Sequence, residues 1–159
     1  VSVEALNILS FYQTTDPKVN DWLNKKLNRA EFMPFAPVTL QTYASQCYLN
    51  IDKVKYNAKF MTISVDCTEW MKNISPAVVH IDGTARPQLI EEEDNPSYYK
   101  ILKEYHQITG IPSLINTSFN MHEEPIVCSP IDALYTFRKA QIDYLAIGKY
   151  LLKRDELKI

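Results

Sequence analysis

Three groups of residues in this 159-residue chain have the types and spacing to do chemistry. In the first, Lys25, Lys26 and Arg29 run into Glu31-Phe32-Met33-Pro34-Phe35-Ala36-Pro37. Lys26 and Arg29 are spaced to lie on one side of a helix end. There an ammonium point charge and a guanidinium fork can converge on a single anion. Lysines at a helix C-terminus also complement the helix dipole, and that reading stays open beside the first. The second group is His80-Ile81-Asp82-Gly83-Thr84-Ala85-Arg86-Pro87-Gln88. On a strand, His80 and Asp82 would share a face, and Arg86 could return alongside them across the turn. His and Asp two residues apart can suggest a metal pair, but no second His or Cys lies nearby in sequence, and a hydrogen-bonded core histidine is the simpler reading. The third is Asn116-Thr117-Ser118-Phe119-Asn120, a run of hydroxyls and amides directly after an apolar segment. Such a loop at the carboxyl end of a strand can bind phosphate or ribose, although the same residue types also simply make turns.

The elements that must position these groups follow from capping signals and apolar spacing. Asp16-Pro17 is a helix start, and Val19, Trp22, Leu23 and Leu27 give that helix, over 17–27, one apolar face. A second helix is expected near 40–49 and a strand over Phe60–Val65, after which Asp66 caps a short helix or turn. The apolar run Ala77-Val78-Val79-His80-Ile81 reads as a central strand entering a tight turn at Asp82-Gly83, with Arg86–Ile90 as its hairpin partner. An acidic loop follows over 91–96. A helix over Ser97–Thr109 ends at Gly110, a strand covers Ile111–Ile115, Ser129-Pro130 opens another helix, and Tyr144–Ile147 makes a late strand. Strands separated by helices, together with a hairpin, predict a mixed α/β (α+β) domain with a twisted mixed sheet and flanking helices.

Length and composition narrow the function classes. A chain of this size buries about two-thirds of its surface as one domain spanning 1–159, with no need of disulfides or metal staples. Seventeen basic and 19 acidic side chains give a net charge of −2, so no bulk attraction draws nucleic acid and any anion site must be local. Three glycines cannot build a Walker or dinucleotide phosphate loop. Three widely spaced cysteines suit a reducing compartment, and the expected location is cytoplasmic, with neither a membrane span nor a signal peptide.

In this order and spacing, EFMPFAP, PAVVHIDGTARPQ, GIPSLINTSFNMHEEPIV and the terminal SPIDAL…LAIGKYLL resemble the C-terminal domain of the NodU/CmcH-type O-carbamoyltransferases, from about residue 5 to residue 152. The resemblance implies a YrdC/Sua-like fold that binds ATP with Mg2+ and carbamoyl phosphate and forms carbamoyl-adenylate. It further implies an N-terminal TsaD-like partner domain, outside this chain, that carries iron or another metal and transfers the carbamoyl group to a hydroxyl. Ser118-Phe119-Asn120 looks like the family's Ser-x-Asn nucleotide motif, Arg86 like a nucleotide-site arginine, and Lys26 with Arg29 like the rest of the basic cluster. His80, Asp82, Thr84, Asn116 and Thr117 would line the site or hold its loops, with no metal ligand among them. The chain departs from the family pattern at Ala5-Leu6-Asn7-Ile8-Leu9-Ser10, where Leu9 stands in place of an expected Arg. That departure supports an alternative, a degenerate non-catalytic domain that packs against and stabilises the TsaD-like partner. An RNA-binding module is disfavoured by the acidic balance and the Glu91–Asp94 run.

Overall fold

The computed structural model describes residues 14–28 and 34–156. In chain order the regular elements are α1 (Lys18–Lys26), β1 (Ala36–Leu40), α2 (Ala44–Cys47), α3 (Lys55–Ala58), β2 (Val65–Asp66), α4 (Glu69–Ile74), β3 (Thr84–Ala85), β4 (Gln88–Ile90), α5 (Pro96–Thr109), β5 (Ser113–Asn116), α6 (Pro130–Ala140), β6 (Tyr144–Ile147) and β7 (Tyr150–Lys153). They form two compact units. The larger holds residues 14–20 and Pro34–Asn116, the smaller 21–28 and 117–156, so the polypeptide passes between units within α1. The expected mixed α/β class is the observed one.

The larger unit is built on a three-stranded sheet of order β4-β1-β5. β1 runs parallel to β4, with Val38 opposite Gln88, and antiparallel to β5, with Ala36 opposite Asn116 and Thr39 opposite Ser113. No strand was expected over 36–40, and Pro37, which lacks an amide donor, is unusual in a central strand. Pro37 is tolerated here because β4 pairs only with Val38–Leu40, so at Pro37 the sheet has a neighbour on the β5 side alone. A hydroxyl chain crosses the core: Tyr48 Oη meets Thr39 Oγ1 at 2.7 Å, and Thr39 Oγ1 meets Ser113 Oγ at 2.8 Å. All three residues are fully buried, and pairing their polar atoms removes most of the cost of burying them.

Two strong end signals hold as expected. α5 starts at Pro96 with Asn95 Oδ1 accepting from the Tyr98 amide, and it ends at Gly110, whose φ of +76° is the left-handed turn that glycine adopts most cheaply. α6 starts after Ser129 with a full capping box to Asp132. α1 also opens as read, with Asp16 Oδ1 accepting the Lys18 amide at 2.9 Å and Leu23 and Leu27 buried.

Five readings change. Ala77–Ile81 is not a strand: Pro76–Val78 is a 3-10 turn with proline at its start, Ala77 and Val78 are buried consecutively, and Ile81 is 99% exposed. A short apolar run fits a buried helical turn as well as a strand, and here it pairs with no strand among the described residues. The hairpin with 86–90 falls with it, since β4 pairs in parallel with β1 and β3 pairs antiparallel with β2. The strand over 60–65 shrinks to β2, because Met61 takes a positive φ of 54° that breaks extension. The helix near 40–49 splits into a 3-10 turn over Gln41–Tyr43 and the short α2, and α4 is capped by Thr68, whose Oγ1 accepts the Met71 amide, rather than by Asp66.

In the smaller unit β6 and β7 form a hairpin through Gly148, with Ile147 opposite Tyr150; the first strand was expected and the second was not. No helix among the described residues is long and apolar enough to cross a membrane.

Burial also separates the thiols. Cys47 and Cys67 are buried and their pKa values are pushed up to about 12, chiefly by desolvation, whereas Cys128 is exposed. At pH 8 a small alkylating reagent should therefore label Cys128 alone in the folded chain and all three cysteines in denaturant, as read by mass spectrometry.

Candidate functional site

The sequence-derived site residues fall into both units. Thr84, Arg86 and Asn116 belong to the larger, Lys26, Thr117, Ser118 and Asn120 to the smaller; Arg29 and Leu9 lie outside the described residues.

In the larger unit the His80–Gln88 block is a turn followed by an extended run. Ala85, Pro87 and Leu89 are buried and alternate with Thr84, Arg86 and Gln88, which remain partly or fully exposed, so these three form the outward edge of the run. The turn is closed by the His80 amide donating to the Thr84 carbonyl at 2.7 Å and the Gly83 amide donating to the His80 carbonyl at 2.9 Å. Gly83 has a φ of +81°, and the Lys72 side chain lies against it, 3.2 Å from where a Cβ would be. His80 and Asp82 come together not across a strand face but through Thr84. The Thr84 hydroxyl donates to Asp82 Oδ1 at 2.8 Å, the Thr84 amide donates to the same oxygen at 3.0 Å, and His80 Nδ1 lies 3.1 Å from the hydroxyl. The Thr84 hydroxyl and amide bonds hold the Asp82 carboxyl below its ordinary value of 3.8. Arg86 is exposed and makes no hydrogen bond or ion pair among the described residues, leaving its guanidinium available to an anion.

Gln88, which sequence reasoning left out of the site, joins two of the motifs. Its Oε1 accepts from Asn116 Nδ2 at 2.5 Å, and the same amide nitrogen lies 3.6 Å from Met61 Sδ. The pairing register explains the contact. Gln88 is opposite Val38 and Asn116 opposite Ala36, so both side chains share one face of the sheet, and the small Ala36 lets them meet over β1. The signal was the glutamine at the end of the HIDGTARPQ block, but its partner depends on sheet order.

In the smaller unit Ser118-Phe119-Asn120 is a self-bonded loop. Ser118 Oγ donates to Asn120 Oδ1 at 2.6 Å, and Asn120 Nδ2 donates to the carbonyls of Met121 and Glu124, each at 2.9 Å. Phe119 is buried beneath it and accepts the Val127 amide at 3.1 Å. Asn120 thus staples the loop shut, while Ser118 stays exposed. Nearby, a cleft of about 560 Å³ is lined by Trp22, Lys25, Lys26, Asn28, Met121, Lys139, Ala140 and Gln141. Lys26 Nζ stands 5.4 Å from the Trp22 ring centre and donates to the Gln141 carbonyl at 3.1 Å. Lys139 is ion-paired with Glu124, and that bond raises its pKa. An indole with one ammonium beside it, in a cleft that Lys25 also lines, can stack a planar ring and offset negative charge.

Comparison with known proteins settles the family. The family described as Carbamoyltransferase C-terminus matches residues 8–154. The chain belongs to that family. It is 41% identical over 140 residues to an uncharacterized protein of Methanocaldococcus jannaschii, covering 87% of this chain and 22% of that one. It is 36% identical over 152 residues to Nodulation protein NolNO of Sinorhizobium fredii, covering 94% and 22% respectively. With Nodulation protein U of Rhizobium tropici the figures are 37% over 108 residues, 68% and 18%. This carbamoyltransferase C-terminal chain therefore spans about a fifth of the length of these relatives.

Two outcomes follow from the site geometry. Gln88→Leu removes the acceptor for the buried Asn116 amide and should cost about 1–3 kcal/mol in urea unfolding. In Thr84→Val the Asp82 carboxyl should rise toward its ordinary value in a carbon-detected NMR titration. Because the folded value is the lower one, the stabilisation from this carboxylate is complete above the unfolded pKa and is lost as pH falls through the folded pKa; the variant should lose less of its stability over that acid window.

Proposed function

We propose that the chain is the adenylating domain of an O-carbamoyltransferase: it binds ATP with Mg2+ and carbamoyl phosphate, the latter gives up its phosphoryl group to water as inorganic phosphate, and the carbamate oxygen bonds to the α-phosphorus of ATP as pyrophosphate leaves, giving a carbamoyl-adenylate that a TsaD-like domain outside this chain passes to a hydroxyl acceptor. What carries this reading is the match to the carbamoyltransferase C-terminus over residues 8–154. The chemistry requires fixed cations, because negative charge builds on phosphate oxygens as pyrophosphate departs. Arg86 of the larger unit, without a hydrogen bond or ion pair among the described residues, and Lys26 of the smaller, beside Lys25 and the Trp22 indole, are the described groups suited to supply them. Ser118 and Thr117 would add hydroxyl contacts, Thr84, Asn116 and Asn120 would hold the segments around them in shape, and Arg29 would complete the basic cluster. Mg2+ would enter with ATP as part of the substrate.

Calorimetric titration with ATP and Mg2+, in the presence and absence of carbamoyl phosphate, tests the reading. Micromolar binding is expected. Arg86→Ala and Lys26→Ala should each weaken it at least about tenfold, or ~1.4 kcal/mol, with unfolding still cooperative. A folded sample that binds neither ligand, or an Arg86→Ala variant of unchanged affinity, overturns the assignment.

A second reading, a non-catalytic domain that packs against a partner, draws on the smaller unit's surface. Ile131, Leu134 and Tyr135 of α6 and Tyr144, Tyr150 and Leu151 of the β6–β7 hairpin are all exposed. That reading predicts concentration-dependent self-association in sedimentation velocity together with no nucleotide binding.

A further inference from the structure

The Asp82–Thr84–His80 arrangement has a consequence for the imidazole that follows from proton counting. An ionised carboxylate only accepts hydrogen bonds, and a hydroxyl carries one proton. Asp82 is fully exposed and its pKa is lowered, so it is ionised at neutral pH and takes the Thr84 hydroxyl proton at 2.8 Å. The hydroxyl oxygen then faces His80 Nδ1, 3.1 Å away, with lone pairs only. A favourable bond there requires the proton on Nδ1. The tautomer of a histidine is set by the bond its other nitrogen makes, and here that bond is dictated from two atoms away.

The backbone holds this geometry independently of the side chains. The His80 amide and Thr84 carbonyl are bonded at 2.7 Å, and Cys67 donates its amide to the Gly83 carbonyl at 3.0 Å, which ties the turn to the end of β2. Thr84 itself is in β3, paired with Asp66. The charged groups on the turn and on the elements against it are Asp82 in the turn, Lys72 of α4 over Gly83, Glu69 bonded to Lys72 at 2.7 Å, and Asp66 opposite Thr84. Among them only Asp82 reaches His80 through a hydrogen-bonded chain.

We propose that Asp82 and Thr84 are positioning residues that hold His80 as the Nδ1–H tautomer, so that its Nε2 keeps a lone pair to accept an N–H or O–H from a ligand held at the neighbouring Arg86. Arg86 supplies the complementary half of such recognition, an exposed guanidinium with no hydrogen bond or ion pair among the described residues, two residues beyond Thr84 on the same outward edge. A ligand that joins an anion to a primary amide satisfies both. The inference rests on the proposed function only for the identity of that ligand, carbamoyl phosphate; the tautomer is a property of the free chain.

Long-range 15N–1H NMR of the whole chain at pH 8, where an ordinary histidine is neutral, reads the tautomer directly. Wild type should show His80 mainly as Nδ1–H. Thr84→Val should turn the majority to Nε2–H, Thr84→Ser should restore Nδ1–H, and Asp82→Ala should mix the two forms, because the freed Thr84 hydroxyl can then donate to Nδ1. A wild-type His80 in the Nε2–H form overturns the proposal without any variant having to fold, and so does a folded Thr84→Val with an unchanged tautomer. Titrating carbamoyl phosphate into wild type should move the His80 Nε2 resonance. If other resonances move and Nε2 does not, the role given to Nε2 is wrong. If none moves, the proposed function fails, and the tautomer stands or falls on the first measurement.

Discussion

Strand β1 is hydrogen-bonded on both sides, to β4 in parallel and to β5 antiparallel, and the organisation of the larger unit depends on that double pairing. Its three-residue overlap with β4 leaves Pro37 beside β5 only, which is what allows a proline inside the middle strand. The same register brings the end of the His80–Gln88 block and the start of the Asn116–Asn120 block to the two flanks of one strand. The Gln88–Asn116 amide bond is the direct product. On the sheet, Thr39 and Ser113 are also paired residues, and their hydroxyls, with that of Tyr48, fill a buried position that only mutual hydrogen bonding makes tolerable.

The two groups of polar residues in this carbamoyltransferase C-terminal chain are held by different means. In the larger unit the functional edge is extended backbone, so its side chains alternate and Thr84, Arg86 and Gln88 emerge together while Ala85, Pro87 and Leu89 anchor them. In the smaller unit the loop is held by its own side chains: Asn120 spends both amide protons on carbonyls and its oxygen on Ser118. An asparagine so committed shapes the loop, whereas Ser118 within the same short motif is exposed. The exposed guanidinium of Arg86 contrasts with Lys26, whose ammonium is already shared between the Gln141 carbonyl and the Trp22 ring.

Much of the architecture was legible because it is encoded locally. Asp16, Ser129 and Gly110 mark helix ends through bonds or backbone angles that span only a few residues, and each acts where its type predicts. The mixed α/β class and the motif blocks were readable in the same way. The run 77–81 was not, since apolarity alone cannot distinguish a buried 3-10 turn from a strand when the sheet partner is unknown. Nor was the strand over 36–40, which holds Pro37, a residue whose acceptability there depends on where a neighbouring strand stops.

The residue types of the site, His80, Asp82, Thr84, Arg86, Asn116 and Ser118, were thus fixed in the sequence, together with the capped helices that frame them. Their partnerships were decided by tertiary structure. His80 meets Asp82 through a threonine in a turn instead of across a strand, Gln88 finds Asn116 over β1, and Trp22 gathers lysines from α1 and α6 around one cleft. The reason is one of range. Capping and turn chemistry are settled within a few residues, whereas strand order and register depend on which distant segments pair, and one residue of slip would turn every side chain to the other face.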